Sequence, residues 1–349
     1  MTLAVSAGLL MLMLVAAAVL PVPYIALTPG PLYDTIGKSG GKPVIGVVDR
    51  PVYHPQTGHL YLTTVSVIGA PGPYKPLTLF EAMRYWVDSS VAVVPREIEY
   101  PPGRDSEQVE AETAEQMVES QDAAEIAALR YLGEKVTTDG LIAASIEKGL
   151  PADGKLQPED EIKTLDGTPV TSATDLRERI RAHTPGDNVT VGYLRAGKPG
   201  TVTITTGTSP DGSGRAVVGI GLSEKCPCKT PFDVTIGLDE NVGGPSAGLM
   251  FSLGIIDTLT PGELTRGLTI AGTGTMDVDG RVGPIGGIKQ KIVAAKRKGA
   301  VAFLVPDGNW DEANVNPPKG MQLRRVGDLA GAIAQLCAVT KATEKPCGG

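Results

Sequence analysis

The chain has 349 residues, 42% of them apolar and 20% charged, with a formal net charge of -7. That length holds two or three domains, and an acidic balance without a basic stripe argues against a nucleic-acid partner. The 44 glycines and 28 prolines, against only 4% aromatic residues, indicate compact, turn-rich domains rather than one large aromatic core.

From Leu3 to Leu27 the sequence LAVSAGLLMLMLVAAAVLPVPYIAL carries no charge, and the first charged side chain is Asp34. An apolar run of about 20 residues is long enough to cross a bilayer as a helix. Residues 1–27 are therefore expected to be a transmembrane helix, either a cleaved signal segment or a retained anchor. We expect the anchor: a single pass in the cell membrane, with the bulk of the chain outside the cytoplasm.

Residues 28–132 read as a mixed α/β region. LYLTTVSVIG alternates and is β-branched, as strands are, and Leu79, Ala82, Met83 and Trp86 have helical spacing. YPPGRDSE interrupts the pattern. The acidic stretch 105–132 reads as a connecting helix with Val109, Met117, Ile126 and Leu129 turned inward.

Residues 133–210 form a unit of short β-type runs (LIAASI, DEIKTLDG, NVTVGYLR, TVTITTG) around one helix, SATDLRERIRAH. Ser172 or Thr174 caps that helix, and Leu176 and Ile180 share one of its faces. The stretch GLIAASIEKGLPADGKLQPEDEIKTLDGTPVTSATDLRERI resembles a PDZ domain, a small β-barrel or sandwich. The resemblance implies a peptide added as a strand to a sheet edge. It places the groove between the strand carrying Leu141, Ile142 and Ala143 and the helix carrying Leu176 and Ile180. It also places a carboxylate-binding loop near 133–141. Glu159 stands where many relatives have glycine.

Residues 215–349 read as alternating strands and helices, α/β or α+β. Within them, NVGGPSAGLMF puts Ser246 after two glycines and a proline and before an apolar helical run. Gly243 and Gly244 allow close approach of a substrate, and Pro245 suits a first helical turn. Open backbone N–H groups at such a helix start can hold an oxyanion. Ser246 is thus either a nucleophile or only a helix cap. A serine nucleophile needs a base. The three histidines, His54, His59 and His183, all precede the domain, so a Ser-His-Asp triad within it is excluded. A buried lysine with a lowered pKa is the other solution. In GGIKQKIVAAKRKGA, Ile288, Ile292 and Ala295 share one helical face. Lys291 lies about 60° from its centre, and Lys289 about 100°. Lys291 is therefore the better placed to turn inward.

Taken together, GGPSAG and, 45 residues later, the second lysine of GGIKQK resemble the proteolytic domain of Lon proteases, over roughly 215–335. The resemblance implies Ser246 as nucleophile and Lys291 as base. A family threonine orients that lysine; here Ala271 stands at its first position, leaving Thr273 or Thr275 to do so. Gly243 occupies a place where ATP-dependent relatives often have Asp. No G-x-x-x-x-G-K-[ST] phosphate loop occurs in this sequence, so no ATPase of that type is encoded.

The order of anchor, PDZ-like domain and Lon-like domain resembles the bacterial YlbL-type PDZ-containing Lon-like proteases. The expected fold class is therefore multi-domain α+β, divided at 1–27, 28–132, 133–210 and 215–349. The expected function is an ATP-independent, membrane-anchored serine endopeptidase acting on unfolded or loosely folded extracytoplasmic polypeptides, with no cofactor or metal. The family resemblance suggests a hexameric ring. Two rival readings stay open: a peptide-binding scaffold with an inert Lon-like domain, and a self-processing regulator. Of the four cysteines, Cys226, Cys228, Cys337 and Cys347, one or two disulfides are expected; the pairing stays open, a tie from the C-terminal tail to residues 226–228 being one option.

Overall fold

The computed structural model describes residues 2–53, 57–71, 75–101, 106–137, 140–210, 213–225, 230–238 and 242–348. The chain divides into two compact units: Met1–Leu132 with Phe232–Gly349, and Gly133–Pro231. Residues 28–132 therefore do not stand as a region of their own. They fold with the C-terminal segment, and the second unit is an insertion between them.

The first unit begins with helix α1 (Thr2–Val19), followed by strands β1 (Tyr24–Asp34) and β2 (His59–Ile68). Helix α2 (Leu79–Trp86), strand β3 (Ala92–Pro95) and the long helix α3 (Ser106–Tyr131) complete its N-terminal part. The apolar run 3–27 is not one element. Among the described residues no helix is long and apolar enough to cross a membrane, and the expectation of a transmembrane helix is corrected on that finding. The physical reason is length. The 18 residues of α1 span about 27 Å at 1.5 Å per residue, short of a hydrocarbon core of about 30 Å. Pro21 and Pro23 then disfavour helix at the residues before them. Tyr24–Leu27, the end of the run, is spent on pairing with β3.

The inserted unit contains β4 (Gly140–Ile146), β5 (Glu161–Leu165), helix α4 (Ala173–Arg181), β6 (Asn188–Arg195), β7 (Lys198–Thr205) and β8 (Ile220–Lys225). Its sheet runs β7-β6-β5-β4-β8. Ser172 caps α4 by accepting the Asp175 N–H. The core collects inward residues of every strand, such as Leu141, Ile162, Val191 and Ile204, around Leu176 and Ile180 of α4. Glu159 sits at φ 70°, in the left-handed region.

The chain then returns to the first unit through α5 (Gly248–Leu259), β9 (Thr269–Gly272), α6 (Ile288–Arg297), β10 (Ala302–Pro306), the short α7 (Trp310–Ala313), β11 (Gln322–Val326) and α8 (Leu329–Thr340). One sheet of order β11-β10-β9-β2-β1-β3 spans this unit. β9, β10, β11 and β2 are mutually parallel; β1 runs antiparallel to β2, and β3 antiparallel to β1. Alternate residues point to opposite faces. Leu60, Leu62, Ile270 and Leu304 pack with α5, α3 and α8. Tyr61, Ala271, Phe303 and Val305 pack with α6. Helix α5 is apolar nearly all round, and residues 248–258 are all buried, as a central helix must be.

Two disulfide expectations are corrected or untouched. Cys337 and Cys347 are joined to each other across 10 residues, so neither can tie the tail to residues 226–228. Cys226 and Cys228 lie outside the described residues.

Candidate active site

The site assembles where three elements of the first unit meet: the start of α5, the end of β9 and the first turn of α6. Gly287 adopts φ 67° as the residue before α6, a conformation that glycine adopts at little cost. The helical period then buries Ile288, Lys291, Ile292 and Ala295 together, while the Lys289 side chain is 56% exposed and pairs loosely with Glu312.

Lys291 is only 3% exposed. Its Nζ lies 2.9 Å from Ser246 Oγ and 3.0 Å from Thr273 Oγ1. Burial pushes its pKa down from 10.5 to about 7, because an apolar setting disfavours the charged form. The neutral amine has one lone pair and two protons. It can accept from the serine hydroxyl while donating to Thr273. The Thr273 hydroxyl in turn donates to the Ser246 carbonyl at 3.0 Å, and the Gly274 N–H donates to the same carbonyl. Every polar atom of this small network has a partner. Ser246 itself is half-buried and so reachable. The chemistry this supports is general-base activation of a serine hydroxyl.

Of the two threonines left open by the sequence, Thr273 is the one brought to Lys291. Thr275 lies in a two-stranded turn paired with Gly283. Ala271, the departure from the family pattern, is buried in the core beside Ile288 and Ile292.

The expected oxyanion support at Gly243, Gly244 and Pro245 needs correction. The Gly244 N–H already donates to the carbonyl of Thr113 at 2.8 Å, and Pro245 has no N–H. Among the described residues, the Ser246 N–H is the donor of 244–246 that no acceptor occupies. Gly243 has a packing role: a Cβ there would lie 3.0 Å from Thr113 Oγ1. The sequence reading missed α3 here. It is a partner of the Ser246 segment and not only a connecting helix. Its contribution comes from residues more than 120 positions away, which no local pattern reveals.

The histidines are elsewhere. His59, at the start of β2, holds Asp34 at 2.6 Å. His183 belongs to the inserted unit and faces Asp166 and Asp187. His54 lies outside the described residues.

The expected peptide groove divides in the structure: Leu176 and Ile180 of α4 line a cavity of about 260 Å3, with Val218, Ile220 and Leu222 as the opposite wall. Leu141, Ile142 and Ala143 lie on β4, which pairs with β5 on one side and β8 on the other. An interior strand has no free edge to accept a peptide. The strand with a free edge beside α4 is β8, because it pairs only with β4 among the described residues.

Two stretches of the chain match known domain families. The family model of the PDZ domain matches residues 117–206, and that of the Lon protease (S16) C-terminal proteolytic domain matches residues 240–330. The Lon protease of Orientia tsutsugamushi (strain Ikeda) is 37% identical over 84 residues, which is 23% of this chain and 10% of that protein. The Lon protease of Desulfosudis oleivorans is 27% identical over 203 residues, 51% of this chain and 24% of that one. This chain thus spans between a tenth and a quarter of these two relatives. Among solved structures, the PDZ domain of the SdrC-like protein from Listeria monocytogenes is 30% identical, over 25% of this chain and 92% of that one, with a TM-score of 0.24. Over these two segments the chain is similar to a PDZ domain and to the C-terminal proteolytic domain of Lon proteases, a combination consistent with a PDZ-containing Lon-like protease.

Proposed function

We propose that the protein is a serine endopeptidase that works without ATP, with Ser246 as nucleophile and Lys291 as general base. The observation that carries this reading is the 2.9 Å contact between Ser246 Oγ and the Nζ of a buried lysine. The Ser246 proton passes to neutral Lys291 as Oγ attacks a peptide carbonyl. The carbonyl oxygen becomes the oxyanion, held by the Ser246 N–H at the start of α5. The Lys291 ammonium then protonates the departing amine, and the acyl ester remains on Ser246. Water hydrolyses the ester with Lys291 again taking the proton.

Strand β2 offers the substrate a place. The His59 N–H points to β9, so the backbone groups of every second residue, including Val65 and Val67, face the same side. Strand β9 ends at Gly272, opposite Leu62. Beyond that point, where the Thr63 hydroxyl donates to the Gly272 carbonyl, the β2 edge is open among the described residues. An extended, unfolded chain can pair there. In the inserted unit, the edge of β8 beside α4 is the corresponding peptide site, for recruiting or gating. ATP independence is supported by the lack of a phosphate loop in this sequence. An extracytoplasmic compartment is supported by the Cys337–Cys347 disulfide, a bond that persists in oxidising surroundings.

The test is degradation of an unfolded fluorescent protein without ATP. Cleavage by the wild type that is abolished in Ser246→Ala supports the reading. Equal cleavage by both contradicts it.

A further inference from the structure

Helix α3 touches the nucleophile segment at three points along one face. The Thr113 carbonyl accepts the Gly244 N–H at 2.8 Å. The Ser120 hydroxyl donates to the Pro245 carbonyl at 3.0 Å. Ser252 of α5 donates back to the Ala124 carbonyl at 3.1 Å. The middle contact bears on the chemistry. The Pro245 carbonyl and the Ser246 N–H belong to one planar, trans peptide unit and point in opposite directions. Fixing the carbonyl therefore fixes the direction of the N–H. Pro245 is exposed, and the turn contains Gly244 at φ 85°. The neighbouring backbone groups are held by other partners, and among the described residues the Ser120 hydroxyl is the donor on the Pro245 carbonyl. Ser120 is 4% exposed, and no other role for a hydroxyl at that depth is visible. It also sits against the helix start: a Cβ on Gly248 would come within 3.1 Å of its Oγ.

We propose that Ser120 is a positioning residue. By holding the Pro245 carbonyl, it aims the Ser246 N–H at the oxyanion. The inference rests on the proteolytic reading above. It predicts an effect on the transition state and little on substrate binding or on Lys291, which Ser120 does not touch.

The experiment compares wild type, Ser120→Ala and Ser120→Cys on a peptide substrate, measuring kcat, KM, the pH midpoint and inhibition by a peptide aldehyde. The aldehyde forms a tetrahedral adduct on a serine and so reports oxyanion binding. Ser120→Ala should lose roughly ten- to a hundred-fold in kcat, with KM and the pH midpoint unchanged and aldehyde inhibition weakened by a similar factor. Ser120→Cys, a weaker donor of similar size, should fall between. If Ser120→Ala does not fold, the cysteine variant carries the test alone. Variants with wild-type kcat overturn the proposal, and so does an equal loss in KM and aldehyde binding. A wild type inert toward every substrate, and equal to Ser246→Ala, overturns the proteolytic reading itself and the proposal with it.

Discussion

Thr273 accepts a hydrogen bond from Lys291 at 3.0 Å and donates its own O–H to the Ser246 carbonyl at 3.0 Å. One buried hydroxyl thus ties the Lys291 amine to the backbone of Ser246. It does so although Ala271 stands at the first threonine position of the family pattern. Thr273→Val should keep the shape and lose both bonds, lowering kcat about ten- to a hundred-fold, the range typical of a lost oriented group. Thr273→Ser should retain most activity, and Thr275→Val should change little. Steady-state kinetics on one peptide substrate decides among them.

The burial of Lys291 sets the sign of the pH response. Its pKa of about 7 means that the base is neutral above that pH and charged below it. kcat/KM should therefore rise with pH through about 7 and level off on the alkaline side. Lys291→Arg, a cation that does not deprotonate, should be inactive at every pH. A profile that falls from pH 6 to pH 8 contradicts the role of the lysine as base.

The same group costs stability. Unfolded, the lysine titrates near 10.4; folded, near 7. Between these values the unfolded chain binds more protons, so stability rises with pH across this window. Below pH 7 the full cost of a buried charge remains. Lys291→Met should stabilise the protein by roughly 2–3 kcal/mol at pH 6, after the lost hydrogen bonds are counted. The gain should shrink toward pH 10. Thermal melts at several pH values measure it.

Asp257 behaves in the opposite sense. It lies buried on α5, with one carboxylate oxygen accepting the Leu264 N–H and the other without a partner. Desolvation, with smaller contributions from Glu263 and Asp34, pushes its pKa up to about 7. The folded state holds this proton more tightly than the unfolded chain, so stability falls as pH rises from about 4 through 7. Asp257→Asn should be near neutral at pH 5 and should raise Tm at pH 8 to 9. Equal effects at both pH values would mean that the carboxyl does not titrate in this window.

In the inserted unit, Glu159 holds φ 70°, where a side chain costs roughly 1 kcal/mol. Glu159→Gly should leave peptide binding unchanged and stabilise the unit by up to about 0.5–1 kcal/mol, once the greater freedom of glycine in the unfolded chain is set against the relief. Chemical denaturation gives the sign.

What the sequence made legible was local. The inward turn of Lys291 follows from a 3.6-residue period within one helix, and a cap at Ser172 or Thr174 from the residues that open α4, of which the structure uses Ser172. What stayed hidden was decided by distant pairing. β4 reads as a plausible edge strand until β8, some 80 residues later, occupies its outer side. The acidic surface of α3 reads as that of a connector, because its contacts to Gly244, Pro245 and Ser252 lie far away in the chain. The apolar run 3–27 is visible as composition. Its break at Pro21 and Pro23, and the pairing of its end with β3, depend on a sheet partner that composition does not show.

The most direct test of the central claim is proteolysis by the full chain. Wild type, Ser246→Ala and Lys291→Ala are incubated with an unfolded fluorescent protein in the absence of ATP, and fragments are followed in time. The account predicts cleavage by the wild type and its loss in both variants, each still folded. Full activity in Lys291→Ala would remove the base from the mechanism and contradict the account.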